Sequence, residues 1–285
     1  MALEKKISDK TATIGIIGLG YVGLPLAVEY AKKNFSVIGF DVDPKKIEKL
    51  QKGKNYIDDV NLMLKDKVLS YKLIKPFDLW QILFKNRKFM FNITFKTRFP
   101  IHSFGKDSSA SWHQHFESSG IVKGEIVFKN GKHIKINGYG QRDKSWGFRD
   151  WHQFDQWFAG HFQFKEWSCG LRKDHLKDQV LLSGYIANET DNISLSEIEI
   201  TTTNDEDQFK SPLSTTYRIT DDNGKVYNLK AERIGKKSFI RFVREFPGGF
   251  TELFEQMAII KNIDTGEIGS GMFEQLRTSK RKITY

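Results

Sequence analysis

The alternation of hydrophobic and polar positions changes between about Val60 and Tyr71. Before this point, apolar runs are separated by a glycine turn and a helical stretch. After it, short runs alternate apolar and polar residues and end at Gly, Asn or Asp, which is the pattern of half-buried β-strands. We therefore predict two regions, residues 1–67 and residues 68–285, the second built from antiparallel sheets in a sandwich or barrel.

Several strands and turns of the second region can be placed individually. Phe89–Lys96 alternates as a strand, and a hairpin with an Asn-Gly turn is predicted at Lys129–Lys132. Similar turns are predicted at Asp222–Lys225 and Ile263–Glu267. The strands follow one another with almost no helical stretch between them, so sequential antiparallel pairing is expected.

The first region has the order of a dinucleotide-binding β-α-β unit. A buried strand at Thr13–Ile17 leads into Gly18-Leu19-Gly20-Tyr21-Val22-Gly23, which is a G-x-G-x-x-G turn. A helix is predicted over Leu24–Asn34 and a second strand over Ser36–Phe40, closed by Asp41. This context makes the glycine motif much more specific than it would be alone.

Each part of this unit has a physical role in binding a dinucleotide. Gly18 permits the tight turn, Gly20 lets the backbone approach a pyrophosphate, and Gly23 lets the helix pack on the strand. The helix N-terminus offers free N–H groups to the phosphates. Asp41 is placed to accept hydrogen bonds from the adenosine ribose, which favours NAD over NADP. We expect an NAD site formed by the residues of the turn and the acid: Gly18, Leu19, Gly20, Tyr21, Val22, Gly23 and Asp41.

The segment Gly15–Ala27 resembles the UDP-glucose/GDP-mannose dehydrogenase family, especially the UDP-N-acetyl-sugar 6-dehydrogenases. Val37–Asp43 and Lys52–Ile57 also fit, so the resemblance covers about residues 11–60. It implies an NAD-dependent oxidoreductase that acts on CH–OH groups of a nucleotide sugar. The family uses a cysteine nucleophile in a glycine-rich Cys-x-Pro-Lys-Asp setting, but the single cysteine, Cys169, lies in Glu166–Asp174 without that setting. We therefore expect Cys169 at a strand end or turn, and no complete sugar oxidation.

The densest group of functional side chains in the second region lies in Gly138–Trp151. Its Arg, Asp and Trp residues, flanked by glycines, do not suggest a simple strand, and we interpret it as a loop at a barrel mouth with Trp146 as a lid. An arginine fork can pair with a carboxylate in two hydrogen bonds, so Arg142 or Arg149 is expected to pair with Asp143 or Asp150. These residues are either an ion-paired corner between sheets or part of a ligand site, and Asp143, Arg142, Trp146 and Arg149 are the weak catalytic candidates.

This stretch resembles a two-lobed, lipocalin-like family that includes the carotenoid 1,2-hydratases. The shared motif, Gly-x-Arg-Asp-x-Ser-Trp-Gly-x-Arg, is matched by Gly140, Arg142, Asp143, Ser145, Trp146, Gly147 and Arg149. Pro76 with Trp80, Phe91–Phe95 and His115–Glu117 also fit, over about residues 68–280. The resemblance implies two small barrels or half-barrels around an apolar cavity, and in its hydratase branch acid and histidine side chains hydrate a double bond. The fold class expected for the chain is thus α+β: a truncated Rossmann β-α-β unit, then a mostly antiparallel lipocalin-like β-barrel or sandwich.

The charge pattern and the composition limit the classes of partner that are expected for this protein. The net charge is +10, but Lys and Arg are interleaved with acids and form no long basic run, so no nucleic acid partner is expected. The longest uncharged stretch, Ile14–Val28, is short and broken by Gly and Pro, so no membrane span is expected. With no signal-peptide pattern and one cysteine, we expect a cytoplasmic protein.

The histidines do not predict a metal site. His113 and His115 are spaced to share a strand face, but no further ligand lies at a recognised spacing, so no metal is expected. The remaining histidines are scattered and are expected to have no part in a site: His102, His133, His152, His161 and His175. The aromatic residues of Phe154–Trp167 are expected in the core or in a cavity wall.

Three interpretations of function stay open. The chain is an NAD-binding protein that resembles a dehydrogenase N-terminus but lacks the catalytic Cys and the sugar domain. Alternatively, it is a lipocalin-like binding protein or hydratase-like enzyme for an apolar isoprenoid or lipid, with a vestigial Rossmann extension. The third is a fusion without joint function. The partners considered are a dinucleotide, a nucleotide sugar or a small apolar ligand, and a homo-oligomer is compatible with all three.

Overall fold

The chain divides into two compact units, one of residues 1–74 and 80–90 and one of residues 75–79 and 91–285. The computed structural model describes residues 2–20, 23–52, 63–65, 67–147 and 150–280. Within the described part of the chain, no helix combines the length and apolar composition needed to cross a bilayer.

The first unit contains the predicted β-α-β unit. Helix α1 (Ala2–Ser8) comes first, followed by strand β1 (Thr13–Ile17), helix α2 (Gly23–Lys32) and strand β2 (Ser36–Phe40). The two strands pair in parallel, with Thr13 opposite Ser36, as a βαβ connection requires. Helix α2 ends at Lys32, and Asn34 just beyond it has a φ of 66°, a left-handed conformation that Asn tolerates better than most residues.

The rest of this unit does not extend the parallel pair into a doubly wound domain. Asp43 caps helix α3 (Pro44–Gln51) by accepting from the Lys45 N–H. Strand β3 (Met63–Lys65) then pairs antiparallel with β4 (Leu69–Lys75), and β5 (Leu79–Lys85) neighbours β4. Among the described residues, β1 and β2 form a two-stranded sheet of their own. The short unit is therefore present, while a Rossmann domain is not confirmed.

The second unit is built almost entirely from antiparallel strands. Strand β6 (Phe89–Thr97) begins in the first unit and continues into the second. The following elements are β7 (His102–Ser109), β8 (Trp112–Phe128), β9 (His133–Trp146), a 3₁₀ turn (Trp151–Gln153), β10 (Phe154–Gln163), β11 (Ser168–Leu176), β12 (Gln179–Ala187), β13 (Asn192–Asn204), β14 (Pro212–Asp221), β15 (Val226–Arg233), β16 (Phe239–Phe246), β17 (Gly249–Asn262) and β18 (Ile268–Lys280).

Eight of these strands close into a barrel. Their order is β15-β14-β13-β12-β11-β10-β18-β17, and β15 pairs again with β17. The closing ladder runs from Leu229 opposite Asn262 to Arg233 opposite Ala258. Strand β16 pairs with the first half of β17, at the place where β15 does not reach. The predicted antiparallel barrel is confirmed, and closure removes the exposed strand edges that favour aggregation.

The inside of the barrel is a packed core. One cluster of buried side chains draws on all eight strands, which is possible only for the face that points inward. Its largest fully buried members include Tyr217, Phe162, Phe164 and Phe273. These rings occupy the space inside the barrel.

A long hairpin, β8 with β9, forms the other main part of this unit. β8 also pairs with β7 and neighbours β6. The predicted loop at Gly138–Trp146 is wrong, because these residues belong to β9 and pair with Gln114–Val122 of β8. Their charges do not prevent a strand, since alternate residues of β9 point to opposite faces of the sheet.

The predicted turns are confirmed. Lys129–Lys132 joins β8 to β9, and Gly131 has a φ of 83°, which glycine adopts without strain. Asp222–Lys225 joins β14 to β15, and Ile263–Glu267 joins β17 to β18. Gly224 and Gly266 also have positive φ, at 81° and 75°. The residues of the three turns were thus sufficient to predict these connections.

Candidate functional site

A cavity of about 320 Å³ lies between the outer face of the barrel and the β8–β9 hairpin. Apolar and ionisable side chains contribute to its wall in similar numbers. The lining residues are Trp112, His115, Glu117, Gln141, Asp143, Ser145, Trp157, Ala159, Leu171, Arg172, Leu253, Glu255, Met272 and Glu274. All of them belong to the second unit.

The barrel wall of the cavity is a transverse row of four residues in register. Arg172 on β11 is opposite Ala159 on β10, and Ala159 is opposite Glu274 on β18. Glu274 is in turn opposite Glu255 on β17. Residues paired in this way share one face of the sheet and have neighbouring Cβ atoms. The small side chain of Ala159 therefore leaves an open floor between a guanidinium and a pair of carboxyl groups.

The electrostatics of this row keep a carboxyl group protonated. Burial raises the pKa of Glu274 to about 7, and the nearby Glu255, Glu117 and Asp143 add to the shift while Arg172 opposes it. Burial and Asp143 also raise the pKa of Glu255. Two carboxyl groups in such proximity resist being ionised together, so they titrate as a pair. Around neutral pH, the cavity accordingly contains a carboxylic acid able to donate a proton.

Arg172 is fixed at the other end of the row. Its Nε donates to Asp174 Oδ1 at 2.5 Å, and Nη2 donates to Ser111 Oγ at 2.6 Å. The guanidinium carbon lies 3.9 Å from the centre of the Trp157 ring, which is a cation–π distance. Both members of the ion pair are buried, with side-chain exposures of 6% and 0%. Because the guanidinium is held by several partners, its position relative to the cavity is well defined.

On the opposite wall, a chain of hydrogen bonds leads from the cavity into the protein. Ser145 Oγ lies 2.9 Å from His115 Nδ1, and His115 Nε2 lies 3.1 Å from Glu117 Oε1. Tyr185 donates to Glu117 Oε2 at 3.2 Å. The His115 ring stacks on Trp112 with centroids 4.3 Å apart. His115, Glu117 and Tyr185 are buried, whereas Ser145 is half-buried and lines the cavity with His115 and Glu117.

A second polar cluster lies between the same two sheets. Ser119 Oγ donates to Ser168 Oγ at 2.7 Å and lies 3.0 Å from His161 Nε2. Burial lowers the pKa of His161. His102 stacks on Tyr185 at 4.3 Å, its Nδ1 lies 2.6 Å from Asn192 Oδ1, and burial lowers its pKa as well. Both histidines thus have buried polar partners, and the expectation that they have no part in a site stays a prediction.

The sequence candidates of the Gly138–Trp151 stretch are divided between the two faces of β9. Asp143 lines the cavity, as do Gln141 and Ser145. Arg142 and Trp146 lie on the other face, where the Arg142 guanidinium is 5.0 Å from the Phe116 ring centre and the Trp146 ring is 5.6 Å from it. The structure therefore does not bring Asp143 together with Arg142 and Trp146. Arg149 lies outside the described residues.

The only cysteine lies in the barrel core, away from solvent. Cys169 is the second residue of β11 and is 0% exposed. Burial, together with the charge of Glu117, raises the pKa of its thiol far above the ordinary value. A thiol that stays protonated is a poor nucleophile. This environment agrees with the prediction that Cys169 does not act as the dehydrogenase nucleophile.

In the first unit, the glycine-rich turn joins β1 to α2. Gly18 has a φ of 84°, and a Cβ on Gly23 would lie 1.8 Å from the Gly18 carbonyl oxygen. Leu19 is buried, and its N–H donates to Asp41 Oδ2 at 2.8 Å. The structure thus brings Gly18, Leu19, Gly23 and Asp41 together. A Cβ on Gly20 would meet nothing within 4 Å, and Tyr21 and Val22 lie outside the described residues.

The Asp41 carboxylate already has several partners in this turn. Besides Leu19, it accepts from the Asp43 N–H at 2.9 Å and pairs with Lys46 Nζ at 3.1 Å. The hydrogen bond from Asp43 is the main cause that lowers the pKa of Asp41, followed by those from Leu19 and Lys46. Asp41 therefore fixes the turn to the end of β2, whether or not a ribose is bound.

The described histidines do not gather into a metal centre. His113 is exposed while His115 is buried, so the two do not present their rings to one place. Among the described residues, no group of three or more His, Cys, Asp or Glu side chains is arranged to hold a metal ion.

Comparison with solved structures identifies similar folds. The structure of CghA with Sch210972 has a TM-score of 0.54 over 76% of this chain and 68% of that one, at 9% sequence identity. At this level of identity the similarity concerns the fold alone. It supports the lipocalin-like interpretation of the barrel region.

Comparison with curated sequences identifies short matches to nucleotide-sugar dehydrogenases. A UDP-N-acetyl-D-glucosamine 6-dehydrogenase of Salmonella typhi is 59% identical over 49 residues, which is 17% of this chain and 10% of the relative. A UDP-N-acetyl-D-mannosamine dehydrogenase of Methanococcus aeolicus is 36% identical over 63 residues, or 22% of this chain and 14% of the relative. The chain thus matches about a seventh or less of the length of these two enzymes.

One family model matches nearly the whole chain. It covers residues 10–279, and therefore includes the glycine-rich turn, the β8–β9 hairpin and the barrel. This chain belongs to the family described as a domain of unknown function, DUF7064.

Proposed function

We propose that the cavity beside the barrel binds a small, mostly apolar molecule and that Glu274 donates a proton to it, in a hydratase-like reaction. The observation that carries this proposal is the row Arg172–Ala159–Glu274–Glu255, which places a protonated carboxyl over an open floor. A carboxylic acid with a pKa near the working pH is suited to general acid catalysis.

The reaction that fits this pair of carboxyls is the addition of water to a carbon–carbon double bond. Glu274 gives its proton to one alkene carbon, and the π electrons form the new C–H bond. Water attacks the cationic carbon, and its surplus proton passes to Glu255, directly across the ladder. Proton exchange within the pair restores Glu274. The negative field of Asp143 and Glu255 favours the developing positive charge on the substrate.

The walls of the cavity indicate the class of substrate. Trp112, Trp157, Leu253 and Met272 supply most of the apolar part of a wall that is otherwise polar, which suits an isoprenoid or another lipid-like molecule that carries a polar group. The carboxyl groups disfavour an anionic ligand. The resemblance to carotenoid 1,2-hydratases supports the same class, and the structurally similar CghA was crystallised with Sch210972.

Filling the floor of the cavity tests this function. Ala159→Leu extends a side chain between Arg172 and Glu274, so binding of the isoprenoid alcohol geraniol, measured by calorimetry, is expected to be lost. Ala159→Ser keeps the volume nearly unchanged and is expected to retain binding. Conversion is followed as the gain of one water by mass spectrometry, and Glu274→Gln is expected to reduce it at least 100-fold. Binding by Ala159→Leu equal to that of the wild type would place the ligand elsewhere.

Dinucleotide binding at the glycine-rich turn is a second candidate function. The observations that favour it are the positive φ of Gly18, the close approach of Gly23 to Gly18 and the position of Asp41 at the end of β2. These are the features with which a βαβ unit receives a pyrophosphate and a ribose. We propose NAD as the ligand, without complete oxidation of a nucleotide sugar by this chain, since Cys169 is enclosed in the barrel core.

Titration of the full-length chain with NAD tests this second function. A dissociation constant in the micromolar range would support a working NAD site. If no heat of binding were measured up to millimolar NAD, the β-α-β unit would be a remnant without this function. Asp41→Ala alone is a poor control, because Asp41 also holds Leu19 and Asp43.

A further inference from the structure

We propose that Ser145, His115 and Glu117 form a nucleophilic triad that opens into the cavity and cleaves small neutral esters. This activity uses a different wall of the cavity from the Glu274 acid and does not depend on it. The proposal stands on geometry: Ser145 Oγ is 2.9 Å from His115 Nδ1, and His115 Nε2 is 3.1 Å from Glu117 Oε1.

The tautomer of His115 follows from its partners. A Glu117 carboxylate can only accept hydrogen bonds, so His115 Nε2 carries the proton and Nδ1 accepts from the Ser145 hydroxyl. Tyr185 donates to the second Glu117 oxygen, and burial raises the pKa of Tyr185, so this phenol remains a donor. The chain therefore has one direction, from Ser145 through His115 to Glu117. This is the order of nucleophile, base and orienting acid.

Antiparallel pairing holds this arrangement in place. Ser145 on β9 is directly opposite His115 on β8, and Glu117 is two residues further along β8. The stacking of Trp112 on one side of the His115 ring and the contact with Phe104 at 4.8 Å restrict its rotation. The imidazole thus needs little reorganisation to accept a proton from Ser145.

A separate observation indicates a ligand with an acceptor oxygen. Trp157 is 1% exposed and lines the cavity, and its indole Nε1 has no hydrogen-bond partner among the described residues. A buried donor without an acceptor destabilises the folded protein. Nε1 itself has less than 1 Å² of accessible surface, so a ligand carbonyl oxygen reaches this donor only when the indole turns toward the cavity. Ser145 and the Trp157 ring line the same space, so after that turn they supply a nucleophile and a donor for the group that it attacks.

The reaction is ester hydrolysis. Ser145 Oγ bonds to the acyl carbon while its proton passes to His115 Nδ1, and the alcohol leaves with that proton. Water then gives a proton to His115 as its oxygen attacks the acyl carbon. The bond from the acyl carbon to Ser145 Oγ breaks, the proton passes from His115 to Oγ, and the acid is released. The carboxylate product would lie close to Asp143 and Glu255. Charge repulsion therefore favours its release and makes neutral esters the substrate class.

A fluorophosphonate probe tests the triad directly. Attack by Ser145 Oγ on phosphorus expels fluoride and leaves a covalent adduct, which peptide mass spectrometry locates. We expect labelling of full-length protein at Ser145, its loss in Ser145→Ala, and unchanged labelling in Ser238→Ala, whose serine is half-buried, like Ser145, and remote in sequence. Hydrolysis of p-nitrophenyl butyrate is expected to fall at least 100-fold in Ser145→Ala.

The roles of the other groups are separated by conservative variants. Glu117→Gln is expected to lower the labelling rate at least tenfold, because the carboxylate that orients His115 is lost. Trp157→Phe is expected to raise KM or lower kcat for the ester while leaving the fold intact by circular dichroism. Ser145→Cys is expected to regain labelling with an iodoacetamide probe. Folded wild-type protein that is not labelled, or a label that persists in Ser145→Ala, would overturn the proposal.

Discussion

Glu255 and Glu274 face each other directly across the β17–β18 ladder, on the outer side of a closed barrel. Like charges in opposite positions of a ladder destabilise a sheet. The pair is tolerated here because the pKa of Glu274 is raised to about 7, so this carboxyl group is protonated at lower pH and the two groups are not both charged. The repulsion that disfavours two ionised carboxylates thus helps to keep one carboxylic acid in the cavity.

The first prediction concerns stability against pH. In the unfolded chain the pKa of Glu274 has its ordinary value of 4.5, whereas in the folded protein this pKa is about 7. The unfolded state is therefore favoured progressively as pH rises between these values, and the wild type loses stability over that range. Given the partial exposure of Glu274, the loss is on the order of 1–3 kcal/mol.

Urea unfolding at pH 5, 6, 7 and 8 measures this loss. Glu274→Gln, which cannot ionise, is expected to flatten the decline. Glu189→Gln, at an exposed turn, is expected to leave it unchanged. Equal slopes for the wild type and Glu274→Gln would show that Glu274 ionises normally in the folded protein.

The second prediction concerns the support of Glu117. Gly170 lies on β11 opposite Tyr185, and a Cβ there would lie 2.4 Å from Glu117 Oε2 and 2.3 Å from Tyr185 Cε1. Gly170→Ala is therefore expected to displace Glu117 and to destabilise the protein by roughly 1–3 kcal/mol, as overpacking does. It is also expected to lower fluorophosphonate labelling of Ser145 at least tenfold.

The matched control for this glycine is Gly138, where an added Cβ would meet nothing within 4 Å. Gly138→Ala is expected to leave both labelling and the urea midpoint near the wild-type values. If Gly170→Ala behaved like Gly138→Ala in both assays, Glu117 would not be confined as the structure indicates.

The third prediction concerns the thiol. Cys169 is fully buried and its pKa is raised, so the native protein is expected not to react with a disulfide reagent at pH 8. Unfolding in guanidinium is expected to release one reactive thiol per chain. Reaction of the native protein at the rate of a free thiol would contradict the barrel packing and reopen Cys169 as a nucleophile.

The sequence predicted the elements that depend on neighbours in the chain. The turns at Gly131, Gly224 and Gly266 are encoded by a few residues each, and the β-α-β unit by a local glycine motif. The density of charged residues in Gly138–Trp146 predicts a loop, and this prediction is wrong. The alternation of side chains along a strand accommodates these charges.

The site was harder to predict because it joins distant segments. Glu117 meets Tyr185 across 68 positions, and Ser119 meets His161 across 42. Only the spacing of His115 and Glu117, two residues apart on one strand, was a local signal for the triad. Glu274 gave no signal, since its raised pKa depends on burial and on carboxyl groups from three other strands.

The last prediction separates two glycines of the nucleotide-binding turn. A Cβ on Gly23 would lie 1.8 Å from the Gly18 carbonyl oxygen, so Gly23→Ala is expected to disrupt the β-α-β unit itself. A Cβ on Gly20 would meet nothing within 4 Å, so Gly20→Ala is expected to leave the unit folded. If a pyrophosphate approaches the backbone there, the added methyl group would still prevent binding. Calorimetric titration with NAD measures binding, and hydrogen exchange of Ile14–Ile17 measures the folding of the unit. The two measurements are expected to distinguish the two variants. Gly20→Ala loses NAD binding with protection intact, and Gly23→Ala loses both. Wild-type affinity in Gly20→Ala would mean that NAD does not bind at this turn.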